Sequence, residues 1–217
     1  MDAMCDDMPL VFVVDDDPDV RESLEVLVAS AGWRAETYAS AAEFLERPRA
    51  PVPSCLVLDL FLPDINGLDL QARVAADRNG LPIIFVAEYG DVPTVVRAMK
   101  AGAVDFLTKP YHEAPLLDAI SGAIERSRVT LAREANARSL RERYATLTPR
   151  QREVMAGVTA GLLNKQVGAQ LGISEITVKA HRGRVMRKMR VRSLAVLVEM
   201  ASHLDRMAQS ADAMSPE

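Results

Sequence analysis

The sequence predicts an α/β domain with a doubly wound, five-stranded parallel sheet, joined by a long helix to a smaller all-α domain of four helices. Three observations carry this expectation. In the first half of the 217 residues, short apolar runs alternate five times with segments whose apolar residues recur at helical spacing. That is the pattern of strand–helix–strand units around a parallel sheet. Between Glu113 and Tyr144 only Pro115 and Gly122 interrupt good helix formers. Charge is also split: residues 1–113 carry 9 Lys/Arg against 20 Asp/Glu, whereas residues 145–206 carry 11 against 4. An acidic half and a basic half suggest two domains with different partners, the basic one suited to a polyanion.

The elements follow in order. Residues 1–8 are polar, acidic and expected to be loose. Leu10–Val14 is an apolar strand that ends on Asp15-Asp16-Asp17-Pro18. Val20, Leu24, Leu27, Val28 and Ala31 then recur at helical spacing, and Gly32 stops that helix. Arg34–Tyr38 is a weaker strand, and Ser40 can cap a helix over 41–47. The three prolines between Arg47 and Ser54 mark a loop. The run Cys55–Leu58 leads to Asp59, a turn-rich segment through Gly67, and a helix over about 67–78. Pro82–Val86 is the fourth strand, about 92–101 a helix ended by Gly102, and Val104–Leu107 the fifth strand. Strands without polar interruption suggest burial on both faces.

From Glu113 the apolar residues Leu116, Leu117, Ile120, Ile124 and Leu131 mark one long helix, after which charge dominates. A solvated helix with charges four apart and a dimerising helix both remain open for that stretch. Thr148-Pro149-Arg150-Gln151 fits a capped helix start. Asn164 can cap a helix over Lys165–Leu171, which Gly172 stops; Ser174 caps a helix over about 175–189, and Ser193 one over about 194–206. Short helices joined by three residues ending the turn at Gly172 are a helix-turn-helix signature. The third of these helices carries Lys179, Arg182, Arg184, Arg187 and Lys188, with Val178, Val185 and Met189 as its buried side. Such residues can be a solvated face; with the basic excess of the whole segment they point to DNA.

Cys5 and Cys55 are the two cysteines, so no disulfide framework is implied and a reducing, cytoplasmic compartment is expected. The start shows no basic-then-apolar pattern, so no signal peptide is expected, and no apolar run approaches bilayer length.

Right-handed crossovers bring the strand ends to one edge, which gathers Asp15, Asp16, Asp59, Ala87 and Lys109. Each acid alone could cap a turn or helix. Together they repel and call for a cation, and hard oxygen ligands suit Mg²⁺. A lysine nearby suits a phosphoryl oxygen, so the set reads as a phosphoryl-transfer site with a carboxylate nucleophile.

Residues 9–125 resemble the receiver domain, a flavodoxin-like fold, of a bacterial two-component response regulator. The matching pieces are Val13–Pro18, Leu58–Gly67, Ala101–Phe106 and Thr108–Pro110. The resemblance implies that Asp59 accepts a phosphoryl group from a sensor histidine kinase. It implies that Asp15, Asp16 and Asp59, with the backbone carbonyl of Phe61, hold Mg²⁺, and that Lys109 pairs with the phosphoryl group. It further implies a cis peptide bond from Lys109 to Pro110 and matches Phe106 to the aromatic that turns inward on activation; Asp17 has a supporting role at most. The chain departs from the family at Ala87, where a Thr or Ser hydroxyl is usual. Without that donor the switch is either weakened or served by backbone amides. Glu88 adds a like charge, and Phe61 and Tyr89 flank the approach of water.

Residues 146–206 resemble the LuxR-type DNA-binding domain of the NarL/FixJ regulators, through Leu147–Val154, Ala160–Lys165, Ile173–Arg182 and Lys188–Ser193. A linker over 126–145 separates the two. The resemblance implies that the third helix enters the major groove of double-stranded promoter DNA. Lys179 would read base edges and Ala180 would offer apolar contact; Arg182 and Arg184 would reach bases or phosphates. Asn164, Lys165, Thr177 and Lys188 would meet phosphates. Gly183 stands where a polar contact residue is common, and His181 is expected to be structural. A homodimer is expected when active.

The expected function is therefore a phosphorylation-controlled transcriptional regulator that accepts a phosphoryl group without being a turnover enzyme. An aspartyl phosphatase would need a second acid two residues after Asp59, where Phe61 stands. A LuxR-type sensor of a small molecule leaves the acidic set unexplained. A regulator that binds DNA without phosphorylation, using the receiver as a dimer scaffold, stays open because of Ala87.

Overall fold

The structure, a computed structural model, describes residues 8–48, 51–77 and 80–212. The expected loose start, the middle of the proline-rich loop and position 78 of the expected third helix lie outside the described residues. The chain divides into two compact units that part between Arg133 and Glu134.

In the first unit β1 (Leu10–Val14), β2 (Arg34–Tyr38), β3 (Ser54–Asp59), β4 (Ile83–Ala87) and β5 (Asp105–Thr108) form one parallel sheet in the order β2-β1-β3-β4-β5. The connecting helices are α1 (Pro18–Ser30), α2 (Ala41–Glu46), α3 (Gly67–Asp77) and α4 (Val92–Lys100), followed by α5 (Glu113–Ala145). Every residue of β1, β3 and β4 is buried. Their side chains alternate between two cores, as the period of a strand requires. Leu10, Phe12, Leu56, Leu58 and Phe85 meet Phe44 of α2, Leu70 and Val74 of α3 and Ala98 of α4. Val11, Val13, Cys55, Val57, Ile84 and Val86 meet Leu24 and Val28 of α1 and Leu116, Ile120 and Ile124 of α5.

The edge strand β2 is only partly buried, and Glu36 on it takes hydrogen bonds from Tyr38 (2.9 Å) and Arg47 (2.8 Å). β4 and β5 start one residue later than the apolar runs suggest. At β4 the reason is Pro82, which lacks an N–H and enters the ladder only as an acceptor, its carbonyl taking the Leu56 N–H at 2.9 Å.

Caps set the helix starts. Asp17 accepts the Asp19 N–H at 2.9 Å, which makes it the cap of α1. Ser40 caps α2, and Asp64, 22 residues away from Ala42, also accepts the N–H groups of Ala41 (3.3 Å) and Ala42 (2.9 Å). Helix α5 buries Leu116, Ile120, Ala123 and Ile124, and its Ser127 hydroxyl accepts the Ser54 N–H at 3.0 Å. Residues 128–139 are exposed or partly exposed, as the thin apolar stripe there suggests.

The second unit contains the end of α5 and helices α6 (Pro149–Thr159), α7 (Asn164–Leu171), α8 (Glu175–Lys188) and α9 (Leu194–Asp212). Val154, Val158, Val167, Val178, Val185, Met189 and Leu197 form its core, with Leu140 and Tyr144 packed against it. Thr148 and Gln151 exchange hydrogen bonds between side chain and backbone, the capping box that the sequence suggests. The cap of α7 differs from expectation. Asn164 is already the first helical residue and Leu163 precedes it; the Gln166 side chain reaches back to accept the Leu163 N–H at 2.8 Å. Gly172, at φ +66°, makes the turn, and Ser174 caps α8 by accepting the Thr177 N–H at 3.2 Å.

Candidate functional site

The strand order reverses direction between β1 and β3, which opens a crevice beyond their carboxyl ends. Val14 pairs with Leu58 in the sheet, so the next residues, Asp15 and Asp59, stand side by side. They are 2% and 6% exposed. Lys109, just after β5, places its Nζ 2.7 Å from Asp15 Oδ2 and 3.4 Å from Asp59 Oδ1. Its own N–H donates to the Ala87 carbonyl at 2.7 Å, and its peptide bond to Pro110 is cis. The Phe61 N–H donates to Asp59 Oδ2, and the Asp17 N–H to Asp15 Oδ1, both at 3.0 Å.

Burial pushes the Asp59 carboxyl above its usual pKa; Lys109 pulls it down and Asp15 adds to the rise. Burial works to lower Lys109, but its hydrogen bond to Asp15 and the two carboxylate charges outweigh that and hold it above its ordinary value. One ammonium therefore neutralises half of a buried pair of carboxylates, and the remaining negative charge suits a cation. Asp16, next to Asp15 in the chain, is exposed. Among the described residues, no three His, Cys, Asp or Glu side chains converge as a ready-made cage. The donors present are hard oxygens with few protein ligands, which fits Mg²⁺, an ion that keeps several of its waters.

Three further residues line this edge. Ala87 is fully buried at the end of β4 and carries no side-chain donor. Phe106 stacks on Phe85 at 5.9 Å and lies so close to Gly90 that a Cβ there would sit 2.6 Å from its ring. Phe61 and Tyr89, 44% and 66% exposed, bring their rings within 5.1 Å of each other.

In the second unit the residues expected at DNA separate into two groups. Lys165, Lys179, Ala180 and Arg184 are exposed, with Lys179 paired to Glu175 at 2.9 Å. Arg182 reaches Asn164 at 3.4 Å, tying α8 to the start of α7, and the Thr177 hydroxyl lies 2.8 Å from that of Ser174. Lys188 turns inward: its Nζ donates to the Thr146 carbonyl at 2.6 Å and to Gln151 Oε1 at 3.0 Å. His181 keeps its Nδ1 buried without a hydrogen-bond partner among the described residues. Sequence reading passed over Ile176, an exposed residue of α8, although its spacing from Val178 and Val185 puts it on the opposite side of the helix.

Comparison with known proteins bears on both units. A family model described as a response regulator receiver domain matches residues 11–121. One described as bacterial regulatory proteins, luxR family, matches residues 145–201. The chain is 48% identical over 195 residues to nodulation protein W of Bradyrhizobium diazoefficiens, covering 90% of this chain and 86% of that protein. It is 40% identical to the response regulator protein TodT of Pseudomonas putida, covering 93% and 88%. The solved structure of the response regulator StyR matches with a TM-score of 0.81 at 45% identity, over 90% of this chain and 98% of that one. The chain thus belongs to the NarL/FixJ family of response regulators, which join a receiver domain to a LuxR-type DNA-binding domain.

Proposed function

We propose that this chain is a transcription factor switched by phosphorylation of Asp59, with a receiver domain over 9–125, a helical linker over 126–145 and a DNA-binding domain over 146–206. The observation that carries the proposal is the buried carboxylate pair at the strand-order reversal, with the partly buried Lys109 ammonium 2.7 Å from Asp15 and 3.4 Å from Asp59. An Asp59 oxygen forms a bond to phosphorus as the bond to the histidine nitrogen of a sensor kinase breaks. The Phe61 N–H orients the Asp59 carboxylate, and Lys109 stands ready to pair with a phosphoryl oxygen. Asp15, Asp16 and Asp59, with the Phe61 backbone carbonyl, would hold Mg²⁺, which when bound neutralises the phosphoryl oxygens. The protein accepts one phosphoryl group and is not a turnover enzyme.

The output is DNA binding by a homodimer, with α8 in the major groove. Lys179, Ala180, Arg182 and Arg184 face bases or nearby phosphates, and Asn164, Lys165 and Thr177 face the backbone. Lys188 contributes by holding the end of α8 to the start of α6. Among the described residues no helix is long and apolar enough to cross a membrane, which accords with a cytoplasmic regulator.

A second reading, DNA binding independent of phosphorylation, draws support from Ala87 and from Phe106, which already packs inward on Phe85. Acetyl phosphate and Mg²⁺ separate the two. Intact mass should show one added phosphoryl group on the wild type and none on Asp59→Asn. An unmodified wild type would favour the second reading.

A further inference from the structure

One face of α8 is left unexplained by the packing of its own unit. Val178 and Val185 are fully buried. On the opposite side, at helical spacing, stand Ile176, Ala180, Gly183 and Arg187, all exposed. Ile176 is 79% exposed, more than any other large apolar side chain among the described residues. Beyond its chain neighbours and the helix's own backbone, no atom of the described residues lies within 4 Å of where a Gly183 Cβ would be. Packing inside the unit therefore does not require glycine there, although glycine is a poor helix former. Lys179 and Arg184 flank this stripe on its two sides, the Lys179 side chain being 62% exposed.

We infer that Ile176 reads the 5-methyl group of a thymine in the major groove, on the uncharged stretch of that face, Ile176, Ala180 and Gly183, that α8 turns to the base edges. The inference rests on the reading of α8 as the groove-entering helix. A helix in the major groove presents its central stripe to the bases and its flanks to the phosphate ridges, which matches a centre without charge from Ile176 to Gly183, closed by Arg187 at its far end, with basic sides. The thymine methyl is the apolar group that base edges offer in that groove. Isoleucine has no hydrogen bond to give, so contact with that methyl is how Ile176 gains from leaving water. The bare backbone at Gly183 allows close approach to the groove floor.

The test uses the full chain with acetyl phosphate and Mg²⁺. Duplexes are selected from a randomised pool, and deoxyuridine then replaces thymidine at each position of the selected site in turn. At one thymine per half-site, loss of the methyl should weaken wild-type binding about fourfold, the weight of one buried carbon. Ile176→Ala should bind the thymine duplex correspondingly less well, be indifferent to the same replacement and keep the wild-type salt slope. If no uracil weakens the wild type, or if Ile176→Ala responds to uracil as the wild type does, the inference is overturned while DNA binding stands. If no duplex is enriched, the reading of α8 fails and this inference with it.

Discussion

In the first unit Asp15 and Asp59 are 2% and 6% exposed with Lys109 between them, whereas in the second the side chains of Lys179 and Glu175 are 62% and 46% exposed. The buried set works at short range in a medium of low dielectric, where a small displacement or a lost partner is costly. The exposed set works at long range through water, is weakened by salt and tolerates the loss of one member. One chain thus carries a site whose chemistry depends on exact pairing and a surface whose function depends on summed charge.

The largest effect expected from breaking this contrast is at Lys109. Lys109→Ala leaves two buried carboxylates facing each other and should cost about 3 kcal/mol of stability in urea unfolding. Mg²⁺ should narrow that deficit, because a divalent cation can take over the neutralisation. An equal loss with and without Mg²⁺ would show that the two acids do not share a cation site.

Lys188 and Lys179 sharpen the comparison within one helix. Lys188 donates to the Thr146 carbonyl and to the buried Gln151. Lys188→Ala should therefore cost about 2 kcal/mol, the weight of hydrogen bonds from a charged donor. Lys179→Ala should change stability by less than about 0.5 kcal/mol, as expected for an exposed pair, yet lower the salt dependence or the sequence preference of DNA binding. Equal stabilities for the two variants would remove the distinction between an inward and an outward lysine.

The smallest effect concerns Glu36, whose carboxyl is held below its usual range first by the hydrogen bond from Arg47, against burial and with help from Tyr38. A depressed pKa in the folded state contributes stability above the unfolded value of about 4.5 and loses it as pH falls through the folded one. Glu36→Gln should lose less than about 1 kcal/mol at neutral pH, and the gap to wild type should close in acid. A gap that does not narrow as the pH falls below the unfolded value of about 4.5 would mean that the pair adds nothing through its charge.

The two units also differ in how far they could be read from sequence. Apolar runs that end on acids, spaced by helical segments, are local patterns, so β1, β3 and the meeting of Asp15, Asp59 and Lys109 were legible. Partnerships between distant residues were not. Asp64 looks like a turn residue until its carboxylate is seen capping α2, and Ser127 looks like an ordinary helix residue until it meets Ser54. In the second unit, caps and turns were visible at Thr148, Gly172 and Ser174, but Leu163 displaced Asn164 as the cap because Gln166 supplies the acceptor. Lys188 is indistinguishable in sequence from its basic neighbours, and only its contacts with α6 set it apart.

The central claim is that the site of Asp15, Asp59 and Lys109 controls the basic surface. The most direct measurement is the affinity of wild type and Asp59→Asn for a selected duplex, with Mg²⁺, before and after acetyl phosphate. The account predicts tighter binding by the phosphorylated wild type and no change in Asp59→Asn. Equal affinities for both proteins under both conditions would contradict it.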